Sequence, residues 1–406
     1  MIVEQGMIAE VGEYSDKVGR RFLAEDTVTH TNGILIPGMI DAHVHYPQCG
    51  VIAAYGTRLL DWLEQHTFPY EARFGDAEFA RAEADFFLDE LLSNGTTTAL
   101  VFGTVHKQSA ESFFEAARER NLRMICGKVL MDRNAPDYLR DSPHSGYIDS
   151  LDLIKKWHGV DRLQYAVTPR FAPTSSEDQL AAAGRLLHEN PGVYLHTHLA
   201  ENREECKWVA KLFPSRNSYL DVYDHYGLLG PRSVFAHAIH LENSDWMRLA
   251  ETNSSVAHCP TSNLFIGSGL FPMKTALSNQ VKVGLGTDVG GGDSFSILRT
   301  INEAYKIQQL RESNMSPETA FYMATLGGAR ALDIADRIGH FAPGLEADFI
   351  VIDPQSTPLL ARRFEQCKSV SEKLFALMML GDDRVVRDTY ILGKRVSPRT
   401  RSPDLS

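Results

Sequence analysis

Eight short apolar runs alternate with longer amphipathic segments along this chain, and this alternation restricts its fold more than any other feature. The runs are GILIPGMIDAHVH, TTTALVFGTVH, RMICGKVLMD, LQYAVTPR, VYLHTHLAE, SVFAHAIH, SSVAHCPTSN and VKVGLGTDVG. The segments between them, such as AEFARAEADFFLDELLSNG, repeat apolar residues every three or four positions, as amphipathic helices do. Strands that alternate with helices predict a parallel sheet. Eight such strands favour a closed, TIM-like (β/α)8 barrel over an open doubly wound sheet, which would normally carry a glycine-rich loop after its first strand.

Two flanking segments do not fit this barrel. Residues 1–36 alternate in polarity around turns, and residues 339–406 contain the strand-like stretches GHFAPGLEADFIVID and VVRDTYILGKRV. We predict that the two chain ends form one small β domain, beside a barrel at residues 37–338. With 406 residues, of which 43% are hydrophobic, the chain is long enough to bury a core of this size.

The overall charge excludes several kinds of partner. A formal net charge of −11 argues against nucleic-acid or anionic-membrane surfaces, because both require clustered Lys and Arg. A small molecule is therefore the expected partner. The sequence has no apolar stretch of about 18 residues and no signal-peptide pattern, so we expect a cytoplasmic protein. Five scattered cysteines without a C-x-x-C pair disfavour both a disulfide framework and a thiolate metal site.

Two histidines, His43 and His45, end the first apolar run. Alternate side chains of a strand point to the same face, so both imidazoles project together. In a (β/α)8 barrel the active site lies where the strands end. The pair is therefore half of a candidate metal site, although an ordinary hydrogen-bonded strand pair has the same spacing.

Polar or ionisable side chains also follow the later apolar runs. They are Arg170 after strand four, His198 and Glu201 after strand five, His237 after strand six, His258 after strand seven and Asp288 after strand eight. Each would be costly to bury without a partner, so folding stability alone does not explain the pattern. Because the strand ends of a barrel meet at one rim, we expect these groups to converge on one ion.

Imidazoles with one carboxylate suit zinc, with Fe(II) as the rival metal. We predict one zinc ion per chain, held by His43, His45, His198 and Asp288 with a position left for water. Zinc can lower the pKa of bound water to about 7, so the predicted nucleophile is water. Glu201 is placed to move the proton of that water. Its alternative role is that of a helix-start glutamate near the positive end of a helix dipole.

Several motifs resemble those of the amidohydrolase superfamily. They are PGMIDAHVHYPQ, HTHLAEN, HAIHLE, HCPTSN, GLGTDVGGG and, at the C-terminal β module, GHFAPGLEADFIVID. Within the superfamily, the stretches LLDWLEQHTFPYEARF, TPRFAPT and SNLFIGSGLFP, together with HYPQ, are similar to the guanine deaminase family. The resemblance covers essentially the whole chain. It implies a homodimeric, zinc-dependent hydrolase of C–N bonds in cyclic amidines, which converts guanine to xanthine and ammonia in purine catabolism.

The resemblance also implies a role for each matching residue. The implied metal ligands are His43, His45, His198 and Asp288, and the implied catalytic residues are Glu201, His237 and Asp288. The implied substrate contacts are Gln48, Arg170 and Phe171, joined by His198, Glu201, His237 and Asp288. An amide both donates and accepts, and a guanidinium donates to the carbonyl oxygen of guanine. Adenine would leave these groups unpaired, which would supply discrimination.

Two other hypotheses remain open. The first is a relative with the same metal site that acts on another amino- or halo-substituted heterocycle, such as an oxidised guanine (8-oxoguanine), a thioadenosine or a triazine. The second is a non-catalytic scaffold, which predicts lost ligands, whereas none of the expected ligands is missing. We expect His196, a layer deeper in strand five, to be structural, and Cys259 to be a small buried side chain rather than a nucleophile.

Overall fold

The computed structural model describes residues 1–15, 19, 21–23, 26–55 and 59–396. Its strands are β1 (Ile2–Glu4), β2 (Met7–Glu10), β3 (Ile34–Pro37), β4 (Met39–His45), β5 (Thr96–Phe102), β6 (Arg123–Gly127), β7 (Val129–Leu130), β8 (Gln164–Pro169), β9 (Tyr194–Leu199), β10 (Ser233–His237), β11 (Ser255–His258), β12 (Lys282–Leu285), β13 (Phe349–Ile352), β14 (Val386–Ile391) and β15 (Lys394–Val396). The α-helices span Leu59–Trp62, Phe68–Glu71, Ala77–Ser93, Lys107–Glu119, Pro143–Trp157, Glu177–Glu189, Arg203–Leu212, Tyr219–His225, Asn243–Glu251, Pro260–Phe265, Met273–Ser278, Ile297–Leu310, Pro317–Tyr322, Gly328–Ala331, Pro358–Glu365 and Val370–Leu380. Leu63–Thr67 and Met323–Gly327 are π-helical, and short 3-10 helices lie at Tyr46–Val51, Ala72–Gly75, Asp137–Leu139, Ala172–Thr174 and Asp383–Val385.

The eight apolar runs form the predicted barrel. Its parallel strands pair in the order β4-β5-β6-β8-β9-β10-β11-β12, and β7 continues β6 by pairing with β8. The two end strands meet, because the amide of Asp288 donates to His43 O (2.9 Å) and that of His45 donates to Val289 O (3.0 Å). The prediction of a (β/α)8 fold is therefore confirmed.

The first apolar run holds two strands rather than one. β3 pairs antiparallel with β13, whereas β4 is a barrel strand. The chain passes from one sheet to the other at Gly38, whose amide donates to Asp348 O (3.0 Å). A Cβ at Gly38 would lie 2.0 Å from Thr97 Oγ1, so only glycine fits at this crossing.

Both chain ends contribute to a small antiparallel sheet of order β15-β14-β13-β3, as predicted. The hairpin β1–β2 lies beside it, where the amide of Ile8 donates to Leu345 O (2.7 Å). The helices Pro358–Glu365 and Val370–Leu380 also belong to the C-terminal segment and were not predicted. The domain limits 1–36, 37–338 and 339–406 stay a prediction.

Apolar side chains fill the half of the barrel interior nearest the amino-terminal ends of the strands. This cluster contains Ile40, Ala42, Leu100, Ile125, Ala166, Tyr194, Val234, Ala257, Cys259, Ala329, Leu332, Ile334 and Ile338. Its last four members follow the final barrel strand and close the amino-terminal end. Because this end is packed with apolar groups, the polar side chains of the strands gather at the opposite, carboxyl-terminal rim.

A buried ion cluster joins the barrel to the small sheet. Nε of Arg123 donates to Glu346 Oε2 (2.9 Å), and Nη2 of Arg162 lies 2.7 Å from the same oxygen. Arg162 also pairs with Asp348, which precedes β13. All four side chains are buried, so each charge depends on its partners for stabilisation.

Within the described ranges, no helix is both long and apolar enough to cross a membrane. All five cysteines are free, as their spacing predicted.

Candidate active site

The predicted metal ligands meet at the carboxyl-terminal rim of the barrel. His43 and His45 lie at the end of β4, His198 lies near the end of β9, and Asp288 follows β12. Their ligand atoms all lie within 4.8 Å of one another. Asp288 Oδ1 is 3.1 Å from His43 Nε2 and 3.2 Å from His45 Nε2. His45 Nε2 is in turn 3.2 Å from His198 Nε2.

In two of these histidines, the ring nitrogen that points away from the cluster, Nδ1, forms a hydrogen bond with another residue. Nδ1 of His198 donates to the carbonyl oxygen of Arg170 (2.7 Å). Since a carbonyl oxygen only accepts, Nε2 of the neutral His198 ring carries a lone pair towards the centre. Nδ1 of His43 forms a hydrogen bond with Nε2 of His196 (2.7 Å). Such outer contacts orient the ligands of metal sites, so His196 orients His43 rather than serving only the core.

Burial keeps the imidazoles neutral. It lowers the pKa of His45 to about 4 and the pKa values of His43 and His198 below their usual range. Burial opposes the ionisation of Asp288, yet the adjacent His43 imidazole holds the pKa of that carboxyl well below its usual range. Neutral imidazoles and an ionised carboxylate are the forms that bind a cation. Nε2 of His43 is 3.1 Å from Asp288 Oδ1 but makes no well-directed hydrogen bond with any described residue, so its lone pair is free for a cation and the donor set fits a metal ion.

A second group of possible ligands overlaps the first. His237 and Cys259 meet His43 and Asp288 with their ligand atoms within 4.8 Å. Cys259 is fully buried, and burial raises the pKa of its thiol well above the usual range. The thiolate that would bind a metal is therefore disfavoured, which leaves the set of nitrogen and oxygen ligands as the better candidate.

Asp41 fixes the positions of two ligand-bearing segments and was not predicted as a site residue. Its Oδ1 accepts from the amides of His43 and Thr287, each at 3.1 Å, and the Thr287 hydroxyl donates to Oδ2. Thr287 immediately precedes Asp288. The four candidate ligands His43, His45, His198 and Asp288 are called the metal group below. The buried carboxyl group of Asp41 thereby sets the distance between the first and last strands of the barrel at the metal group.

Glu201 and His237 face the same centre. Nε2 of His237 lies 3.5 Å from Glu201 Oε2 and 3.7 Å from Asp288 Oδ2. Burial and then the charge of Asp288 raise the pKa of Glu201 to about 8. The carboxyl group of Glu201 therefore holds a proton at neutral pH and has it available for transfer.

Three polar residues outside the sequence prediction hold His237 and Glu201 in place, two through their side chains and one through the backbone of Glu201. Asn263 Oδ1 accepts from Nδ1 of His237 (2.9 Å), and the Ser268 hydroxyl donates to Glu201 Oε1 (2.9 Å). The amide of Glu201 donates to Glu205 Oε2 (3.1 Å). Asn263 and Ser268 lie in the motif SNLFIGSGLFP, which was the available signal for them.

Gln48, Arg170 and Phe171 line the same pocket as the metal group. The full lining is His45, Gln48, Trp62, Leu63, Arg170, Phe171, His198, Glu201, His237, Ile266, Asp288 and Gly291. Trp62, Leu63 and Ile266 were not predicted and supply apolar walls. Apolar walls with a few convergent polar groups suit a flat heterocycle.

His258 is the strand-end histidine that does not join this site. It is fully buried, lies outside both groups of possible ligands, and stacks on Phe271 with ring centroids 4.4 Å apart. Burial lowers its pKa to about 3, so the ring is neutral. The expectation that it converges on the ion is wrong, because its strand directs the imidazole into the packing around Phe271.

A (β/α)8 barrel that gathers three histidines and an aspartate at its carboxyl-terminal rim, beside a buried glutamate whose pKa is raised, defines a metal-dependent hydrolase. The profile of the Amidohydrolase family matches residues 34–396, and the chain belongs to this family.

Several proteins of known name are similar to this chain over nearly its whole length. Guanine deaminase of Escherichia coli (strain K12) is 52% identical over 402 residues, which covers 98% of this chain and 91% of that protein. The solved structure of E. coli guanine deaminase has a TM-score of 0.96 and covers 98% of this chain and 92% of its own. A guanine deaminase from C. acetobutylicum with bound guanine is 30% identical, with a TM-score of 0.89 and coverage of 97% and 94%. An adenosine deaminase from Xanthomonas campestris with bound zinc is 25% identical, with a TM-score of 0.85 and coverage of 97% and 87%.

Proposed function

We propose that this amidohydrolase is a guanine deaminase, which converts guanine and water to xanthine and ammonia. The observation that carries the proposal is the position of Gln48, Arg170 and Phe171 in one pocket with the metal group. Relatives named guanine deaminase, one of them solved with guanine in its active site, support the same reaction.

The proposed cofactor is one zinc ion per chain, held by His43, His45, His198 and Asp288. Three imidazoles and one carboxylate are a usual donor set for zinc, and a related deaminase was solved with zinc. When bound, the ion supplies Lewis acidity, which generates a water-derived nucleophile at neutral pH.

The protein residues then manage the protons. Glu201 gives its proton to a ring nitrogen of guanine, while Asp288 accepts a proton from the attacking water. Nε2 of His237, which faces both carboxyl groups, contacts the oxygen that joins C2. Asp288 returns its proton to the amino nitrogen, which leaves C2 as ammonia. The hydroxyl proton of the adduct restores Glu201, so the C2 carbonyl of xanthine remains.

The proposed substrate contacts come from the walls of the pocket. Gln48 and Arg170 offer hydrogen bonds to the edge of the base, and Phe171 packs beside the ring of His198, with centroids 6.5 Å apart. His198, Glu201, His237 and Asp288 line the face where C2 reacts. Adenine lacks the carbonyl oxygen that a guanidinium donor requires, so it would leave Arg170 without its acceptor.

The test is ammonia and xanthine formation by the purified protein, with and without a chelator, followed by metal analysis. We expect chelator-sensitive conversion of guanine and about one zinc per chain. A panel of 8-oxoguanine, thioadenosine and a triazine accompanies guanine. If the protein prefers one of these compounds, that compound and not guanine is its substrate. If the metal-loaded protein converts none of them, a non-catalytic scaffold is favoured. The homodimer and the cytoplasmic location remain predictions, which gel filtration and cell fractionation test.

A further inference from the structure

Glu71 lies behind the purine pocket and binds both polar residues of its wall. The side chain is 1% exposed. Its Oε1 accepts from Nε2 of Gln48 (2.9 Å) and from Nη2 of Arg170 (3.1 Å). Its Oε2 accepts from Nη1 of Arg170 (2.8 Å). Glu71 ends the short helix Phe68–Glu71, so its backbone position is set by regular structure.

These bonds determine which way the amide of Gln48 faces. An ionised carboxylate only accepts, so the group of Gln48 that contacts Glu71 must be the NH2. The amide oxygen then points the other way, where the Gly290 amide lies 3.3 Å from it. Gln48 therefore presents a fixed pattern of donor and acceptor to a base in the pocket.

The same carboxylate neutralises Arg170. The two groups form a bidentate pair, and both side chains are buried, so solvent does not screen the charge. The guanidinium keeps further N–H donors for a ligand because Glu71 accepts only one hydrogen bond from Nη1 and one from Nη2. The wall consequently offers hydrogen bonds without an uncompensated positive charge.

We propose that Glu71 is a specificity-determining residue that makes the pocket select neutral purines over anionic ones. The proposal rests on the proposed function, in which guanine binds as a neutral base. Replacing the amino group of guanine by a carbonyl makes the product a stronger acid. An unpaired Arg170 would hold the product anion, whereas the neutralised pair lets it leave.

The experiment compares the wild type with Glu71→Gln and Glu71→Asp, all loaded with metal. Equilibrium binding of urate, an anionic purine, is measured against hypoxanthine, a neutral one, at one fixed pH. We expect Glu71→Gln to shift the ratio of the two affinities towards urate by about tenfold or more, because the buried positive charge of Arg170 is then no longer neutralised. Glu71→Asp keeps the charge and should restore most of the wild-type ratio. An unchanged ratio in Glu71→Gln overturns the proposal.

Two further measurements separate this effect from simple misfolding. In turnover assays, Glu71→Gln should raise KM for guanine and strengthen inhibition by xanthine more than it lowers kcat. If Glu71→Gln does not fold, we use the double variant Glu71→Gln, Arg170→Gln, which lacks both the carboxylate and the guanidinium. That double variant must keep a ratio close to that of the wild type, and a gain for urate in it contradicts the proposal. The ratio of the affinities for urate and hypoxanthine is measured without turnover. A wild-type protein that does not convert guanine therefore refutes the proposed function but not the role of Glu71.

Discussion

The carboxylate of Asp288 lies 3.1 Å from Nε2 of His43, and this contact joins the last strand of the barrel to the first. The amide of Asp288 also donates to His43 O, so backbone and side chain close the barrel at the same two residues. The metal group therefore lies where the first and last strands of the barrel meet. Closure of the barrel and the relative positions of His43 and Asp288 depend on each other there.

Replacing Asp288 by Asn should reduce turnover by about a hundredfold or more, because Asp288 is proposed both to bind the metal and to accept a proton from water. The metal content after dialysis should fall as well. Both are measured on purified protein, by ammonia release and by elemental analysis. Asp178→Asn, on an exposed helix position, is the control and should behave as the wild type. Full activity of Asp288→Asn would remove Asp288 from the mechanism.

Replacing Glu201 by Gln should leave the metal content unchanged while kcat falls by roughly 10² to 10⁴. The reason is that an amide cannot give up and regain the proton that Glu201 is proposed to transfer to guanine. Steady-state kinetics with metal analysis separates the two effects. The neighbouring exposed Glu204→Gln serves as the matched control. Near-normal kcat in Glu201→Gln would exclude Glu201 from the proton path.

In the metal-free protein, the carboxyl group of Glu201 should titrate near 8, since burial raises its pKa to about 8 from the usual 4.5. The folded protein then binds a proton that the unfolded chain releases, so this group reduces stability as pH rises from 4.5 to 8. Infrared difference spectra of wild type against Glu201→Gln report the protonated carboxyl band. A band already lost near pH 5 would refute this assignment. Metal loading should lower the midpoint, because a nearby cation favours the carboxylate.

Replacing His196 by Leu should weaken metal binding by about 10- to 100-fold, the usual effect of removing an outer contact of a ligand. The change leaves Nδ1 of His43 without its 2.7 Å partner, so the ring loses its fixed orientation. Competition with a chromogenic chelator measures the affinity. His188→Leu, at an exposed helix position, controls for the loss of an imidazole. Unaltered affinity would return His196 to a purely structural role.

Replacing Glu346 by Gln should destabilise the protein by roughly 3 kcal/mol, because it leaves two buried guanidinium groups undercompensated. Burial opposes the ionisation of Glu346, but Arg123 and Arg162 hold its pKa below the usual range. The contribution is therefore present above the unfolded pKa and is lost as the pH falls through the folded value. Urea unfolding at pH 7 measures the loss, with the exposed Glu365→Gln as control. Equal midpoints for the two variants would show that this cluster adds nothing.

Local pattern was sufficient to predict the alternation of strands and helices in the barrel and the types of side chain at its rim. The apolar runs became the eight barrel strands, because runs of this length between amphipathic segments have few other ways to bury themselves. The spacing of His43 and His45 placed both rings on one face, and these rings lie with His198 and Asp288 at the strand ends. These features depend on residues close together in the chain, whose geometry the backbone repeat sets.

Only the tertiary structure decided which side chains support that rim. Glu71 binds Arg170, Asp41 binds Thr287, and His196 binds His43. Each of these bonds joins residues far apart in the chain, so no local repeat encodes it. His258 shows the same limit, because its place at a strand end resembles that of His198, yet its ring packs on Phe271. The sequence by itself determined the barrel and the types of side chain at its rim. The distances across the barrel decided which polar groups bind one another and which remain in the core, because a hydrogen bond requires contact that only the closed fold brings about.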